Sequence, residues 1–236
     1  GLDGHPVGQP ATTQDIERVV GAFARAAADA KQAGFDGVEI HGAHGYLLDQ
    51  FHWAHTNHRT DEYGGSLENR VRLSTEVVRA VRREVGPGFP IGFRFSQWKG
   101  QAYDAQVAQT PRELETFLGL LAEAGVDIFH ASTRRFPEPA FGSTQLSLAG
   151  WAKQLTGLPV IAVGSVGVAK AFLAPDGEPP APLSLAPVMH AFTRGEFDLL
   201  AVGRALLADP YWVQKVGDGI PDTINLYSKQ SEAVLY

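Results

Sequence analysis

The chain has 236 residues, 44% of them hydrophobic and 19% charged, with a formal net charge of −6 and a pI near 5.7. That composition suffices for one sizeable core, and the acidic balance without basic runs argues against nucleic acid and anionic membrane as partners. Zero cysteines exclude disulfides and thiolate chemistry and are compatible with a cytoplasmic location, while no apolar run approaches the ~20 residues that span a bilayer.

In chain order, Gly1, Gly4 and Pro6 open on turn-forming residues. Thr12 with Asp15 offers an N-cap, and Ile16, Val19, Val20, Phe23 and Ala27 then recur at helical spacing as far as Lys31. Ala33-Gly34-Phe35-Asp36 ends that helix with a glycine cap and leads into a strand over 37–40. The same junction returns at Ala124-Gly125-Val126-Asp127 and Gly195-Glu196-Phe197-Asp198, followed by strands over 128–131 and 199–202. Further strands are predicted over 91–95 and 160–163. Thr110-Pro111-Arg112-Glu113 starts another helix with a cap, a proline at the first helical position and a capping-box glutamate. The proline-rich stretch 175–187 reads as a surface insertion, because a helix–strand unit resumes behind it. Residues 227–236 read as a tail.

These strands read as short and apolar throughout, as parallel strands buried on both faces should be. Alternating helices and parallel strands leave a doubly wound sheet or a (β/α)₈ TIM barrel. The doubly wound fold puts its phosphate-binding glycines after the first strand. Here they end the last two strands, in Val163-Gly164-Ser165-Val166-Gly167 and Val202-Gly203-Arg204, which is a barrel habit. The five units are then strands 4 to 8 of an α/β barrel domain, with the first three βα units absent.

The chemistry concentrates in Glu39-Ile40-His41-Gly42-Ala43-His44-Gly45-Tyr46, which leaves the predicted strand and places two imidazoles and a phenol on one βα loop. Imidazoles donate hydrogen bonds to a developing oxyanion, and a phenol delivers a proton. A zinc reading competes, because His41, His44, His52, His55 and His58 crowd together; the absence of a His-x-His pair weighs against it. Arg94, mid-strand among apolar neighbours, needs either a structural carboxylate or an electron-rich ring edge. Gly164, Ser165, Gly203 and Arg204 form a candidate phosphate site. Residues 57–70 read as a salt-bridged brace. Trp98, Arg134, Arg135 and Phe136 are placed on loops that line a substrate or nicotinamide pocket.

The run His41-Gly42-Ala43-His44-Gly45-Tyr46-Leu47-Leu48-Asp49-Gln50-Phe51, followed by Asn57-His58-Arg59-Thr60-Asp61-Glu62-Tyr63-Gly64-Gly65-Ser66-Leu67-Glu68-Asn69-Arg70, resembles the Old Yellow Enzyme family of flavin-dependent oxidoreductases. Phe93-Arg94-Phe95-Ser96 and Val202-Gly203-Arg204-Ala205-Leu206-Leu207-Ala208-Asp209-Pro210 look like that family's fifth and eighth strands. The resemblance covers about residues 11–212. It implies a TIM barrel that holds FMN at its mouth and reduces activated C=C bonds, such as those of enones, with NAD(P)H. His41 and His44 would hold the substrate oxygen, Tyr46 would give the proton, and Arg94 would face the flavin pyrimidine. Gly164, Ser165, Gly203 and Arg204 would hold the phosphate, with no metal. Nothing here matches the family's first three strands. The missing part, on the order of 100 to 150 residues, is therefore expected from an N-terminal partner segment, either a separate chain or a removed piece. A homo-oligomer is compatible with this picture. The other classes are a non-catalytic fragment or interaction module, with open strand edges that invite association, and a metal-dependent barrel hydrolase.

Overall fold

A computed structural model describes residues 8–142, 144–168 and 184–233. The opening turn residues, most of the 175–187 insertion and the last residues of the tail lie outside that range. The end of the insertion does not remain loop: Pro187 sits in the first turn of helix α6 (Ala186–Thr193), where its missing N–H costs nothing.

All five predicted strands are present. They are β1 (Val38–His44), β2 (Ile91–Lys99), β3 (Ile128–Ser132), β4 (Val160–Val163) and β5 (Leu199–Leu200), parallel and in sequential order. Helices α1 (Thr13–Gln32), α2 (Leu47–His52), α3 (Leu67–Val85), α4 (Pro111–Ala124) and α5 (Leu148–Thr156) come before α6, and α7 (Arg204–Ala208) and α8 (Trp212–Gly217) follow it. Neighbouring pairs of α1, α3, α4 and α5 pack along one side of the sheet. No helix of the described residues is long and apolar enough to cross a membrane.

The helix ends follow local chemistry. Thr12 and Asp15 form a complete capping box. At α4 the box is partial: the Thr110 hydroxyl accepts Glu113 N–H, but the Glu113 carboxylate turns to Gln109 N–H at 2.6 Å. Gly34, Gly125 and Gly195 all adopt the left-handed conformation that the helix-to-strand junctions require.

The strands are not apolar on both faces, contrary to the sequence expectation. One face is: Ile40, Phe93, Phe129 and Val160 are consecutive partners across four strands and lie at most 3% exposed against the helices. The opposite face carries His41, Arg94 and His130 in one row and Glu39 one step below. A period of two puts every second residue on this concave side, so a run that reads as hydrophobic on average still delivers a polar stripe.

Candidate active site

The ladder carries the histidine motif further than expected. His41 to His44 belong to β1 rather than to a loop, because His41 pairs with Arg94, Gly42 with Phe95 and His44 with Lys99. Gly42 separates the two histidines for a steric reason: a Cβ there would overlap the Phe93 ring. The chain then turns through Gly45 into α2, with Tyr46 at the cap.

This arrangement brings the three candidate residues together at the C-terminal mouth of the sheet. The His41 ring centroid lies 5.2 Å from that of His44 and 5.4 Å from that of Tyr46. His44 stacks on Trp98 at 4.5 Å, and its Nε2 shares a 2.7 Å hydrogen bond with Ser132 Oγ. Burial, then the charges of Arg94 and His41, depress the His44 pKa to about 4. Burial and Arg94 lower His41 as well. Both imidazoles are therefore neutral N–H donors at physiological pH. The Tyr46 side chain is half exposed.

Arg94 reaches the same place from β2. Its Nη2 donates to Ser132 Oγ at 3.4 Å, and its buried Nε–H has no partner. Among the described residues no carboxylate lies within ion-pair distance of it, so the structural salt bridge is not formed. Beside it, His130 Nδ1 donates to Glu39 Oε2 at 2.7 Å, while His130 Nε2 is buried without a partner. Burial pushes the Glu39 carboxyl up. The His130 bond and the charges of His130, Arg94 and His41 outweigh it and hold the carboxyl below its usual value. A buried donor left open costs free energy unless something bonds to it, so the Arg94 N–H fits the acceptor edge of a heterocycle laid against the concave face.

The phosphate candidates meet in part. Arg204 Nη2 donates to Ser165 Oγ at 3.3 Å across the ends of β4 and β5. Gly203 faces open space, whereas Gly164 is pressed against Thr133 and Phe136 and owes its lack of a side chain to them. Between the ends of β2 and β3 lies an open cavity of ≈ 370 Å³ lined by Trp98, Tyr103, Ser132, Arg134 and Arg135. Trp98 stands in β2 rather than on a loop. Phe136 turns away, packing edge-on against Phe197 at 5.2 Å.

The other histidines disperse. His52 is fully buried against Ser74, and His55 lies over Trp53. Among the described residues no three His, Asp or Glu side chains converge on a metal position. The 57–70 segment is a brace: Asn57 Nδ2 donates to the carbonyls of Phe51 and Tyr63, and Arg70 Nε to that of His52. Sequence reasoning missed Ser132, His130 and Glu39. The available clue was a polar residue, Glu39 and His130, inside two runs otherwise read as apolar, while Ser132 lies just past the predicted 128–131 strand.

Residues 5–177 match the NADH:flavin oxidoreductase / NADH oxidase family. The chain belongs to this family. It is the Old Yellow Enzyme family indicated by the histidine motif, and its cofactors are FMN and NAD(P)H. The chain is 35% identical over 216 residues to an NADH oxidase of Thermoanaerobacter brockii, covering 88% of this chain and 30% of that protein. It is 36% identical over 197 residues to 12-oxophytodienoate reductase 2 of Arabidopsis thaliana, covering 84% and 48%. The solved structure of a morphinone reductase superposes with a TM-score of 0.73 at 26% identity, covering 96% of this chain and 55% of that one. The chain thus spans between 30% and 55% of the length of these three relatives. Its five strands are consecutive strands of a TIM barrel.

Proposed function

We propose that this chain carries the substrate-polarising, proton-donating and much of the flavin-holding apparatus of an ene-reductase, which reduces C=C bonds activated by a carbonyl or nitro group with NAD(P)H. The observation that supports it best is the His41–His44–Tyr46 cluster, with ring centroids 5.2 and 5.4 Å apart, beside an arginine whose Nε–H has no partner. Bound FMN would supply the hydride chemistry. The Arg94 guanidinium would hold the pyrimidine edge, and Ser165, Gly203 and Arg204 the phosphate.

His41 and His44 would donate to the substrate oxygen and strengthen their grip as negative charge grows on it, each donor contributing on the order of 2.7–4 kcal/mol. Their depressed pKa values matter here: a neutral imidazole keeps one N–H to give and brings no charge that burial would penalise. Ser132 and Trp98 hold the His44 ring in place. Tyr46, on the solvent side of the pair, would deliver its proton to the carbon next to the polarised group. The reading includes an N-terminal partner segment, in the same or another polypeptide, that pairs with the open edge of β1 and completes the flavin contacts.

The test is Tyr46→Phe in the flavin-loaded enzyme. Flavin reduction by NAD(P)H should proceed as in the unmodified protein, while enone turnover falls by roughly 10²–10⁴. Unchanged enone turnover would remove Tyr46 from the role, and a protein that, completed by its N-terminal segment, purifies without FMN absorbance would overturn the reading as a whole.

A further inference from the structure

Beneath the histidine–tyrosine cluster lies an ion pair that the chemistry above does not use. The side chains of Asp49 and Lys99 are both 0% exposed, and Lys99 Nζ donates to Asp49 Oδ1 at 2.8 Å and to the Ser96 carbonyl at 3.2 Å. His52 stands nearby, its Nδ1 at 3.7 Å from Asp49 Oδ1, too far to bond, and burial lowers its pKa. Two charges removed from water add little net stability compared with well-packed apolar residues. Such a pair is therefore better understood by what it holds.

What it holds is the turn between the oxyanion donors and the proton donor. His44 has φ +64 and Gly45 φ +84, two consecutive left-handed residues. The first carries a Cβ, and such a conformation costs of order 1–3 kcal/mol and persists only where its surroundings over-determine it. Here they do. Asp49 Oδ2 accepts Gly45 N–H at 2.7 Å. Ser96 Oγ accepts His44 N–H at 3.0 Å, and Gly100 N–H donates to the His44 carbonyl at 3.2 Å. Lys99 is the ladder partner of His44, and its ammonium links the carboxylate that grips Gly45 to the strand that grips His44. Holding the Gly45 N–H ahead of α2 would need only the Asp49 carboxylate. The buried lysine ties that carboxylate to β2.

We propose that the Asp49–Lys99 pair is a positioning device that fixes the left-handed His44–Gly45 turn and so sets the separation between the oxyanion-holding imidazoles and the Tyr46 phenol. The proposal rests on the ene-reductase reading for its catalytic consequence, but its structural half stands apart from it. Neither residue touches the substrate; both act through the backbone on either side of Gly45.

The experiment removes both charges together, Asp49→Asn with Lys99→Met, since removing one would leave the other buried and unpaired. In the native flavin-loaded holoenzyme, the NAD(P)H half-reaction and the enone half-reaction are followed separately by stopped flow. Misplacement of the phenol by about 1 Å should slow the enone half-reaction about 100-fold and leave the NAD(P)H half-reaction within about threefold. The solvent deuterium isotope effect on the enone step should rise as proton delivery becomes limiting. Added to Tyr46→Phe, the double substitution should cost little more, because both act on the same step. Equal losses in both half-reactions, with an unchanged isotope effect, would overturn the proposal and leave the pair a structural element.

If the double variant does not fold, Ser96→Ala carries a second test: it deletes the acceptor of the His44 N–H and, with it, the Ser96 hydroxyl's bond to the Trp98 carbonyl. A selective loss of roughly tenfold in the enone step supports the proposal, and a proportional loss or none overturns it. If the unmodified enzyme shows no enone turnover, the ene-reductase reading fails by itself. The turn is then read by NMR: loss of exchange protection at the Gly45 and His44 amides in the variants supports the device, and unchanged protection overturns it.

Discussion

Phe93 and Arg94 are neighbours in β2, and they point into two different worlds. Phe93 is 0% exposed and lies in a row with Ile40, Phe129 and Val160 against the helices, with Gly42 kept bare to admit its ring. That face is closed by this chain's own residues. Arg94 lies in a row with His41 and His130, where two buried nitrogens, Arg94 Nε and His130 Nε2, have no partner. The contrast teaches that this chain completes its helix-side packing and leaves its concave side as a set of unmet hydrogen-bonding groups. The proposed flavin would meet them.

The comparison breaks most visibly at Phe93. Phe93→Ala should destabilise the protein by about 3–5 kcal/mol, because the lost ring leaves a cavity that two packed layers cannot close. Urea unfolding measures this, and a loss below about 1 kcal/mol would show that the helix-side face is not closed after all. Arg94→Met tests the other side. It should leave the stability of the flavin-free protein within about 1 kcal/mol, since it deletes an unsatisfied donor. It should also weaken FMN binding by about 1.5–3 kcal/mol, roughly ten- to hundredfold, the worth of a hydrogen bond involving a charged group. Flavin titration monitored by fluorescence reads that loss, and unaltered affinity would remove Arg94 from the cofactor site.

The smallest effect sharpens the comparison by acid. The helix-side row Ile40, Phe93, Phe129 and Val160 has nothing to titrate, whereas the concave side holds His44. An unfolded imidazole takes up its proton near 6.5 and the folded His44 only near 4. Between those values the unfolded chain binds more protons, so stability should be fully present above pH 6.5 and fall as pH drops toward 4. His44→Asn should flatten that slope. Enone binding should likewise keep its acid limb near 4 rather than near 6.5. Unfolding curves with no pH dependence between 6.5 and 4.5 would contradict the burial of this ring.

Much of the fold was legible because it is written locally. Glycine caps at 34, 125 and 195, the threonine N-caps at 12 and 110 and five short β-rich runs each act within a few residues, and each appears where its chemistry predicts. The limits of the elements were less legible. β1 runs on to His44 because β2 supplies partners as far as Lys99, whereas β5 is confined to Leu199–Leu200, opposite Ile161 and Ala162, and does not reach the predicted residue 202. Ladder length is decided by the neighbour. The candidate site followed the same division: His41, His44 and Tyr46 were readable as a short motif. Ser132, which lies 88 residues from His44 in the chain, was not.

By itself, then, the sequence determined the parallel α/β architecture and the family through its histidine motif, and it singled out His41, His44 and Tyr46 as candidates, since each depends on residue type and short-range spacing. Tertiary structure decided which face of each strand became polar, that Arg94 has no carboxylate partner among the described residues, that Phe136 joins the core rather than the cavity, and that Lys99 is buried against Asp49 below the His44–Gly45 turn. These outcomes depend on strand register and on partners 50 or more residues away, and a contact across that distance leaves no local trace until the sheet is assembled.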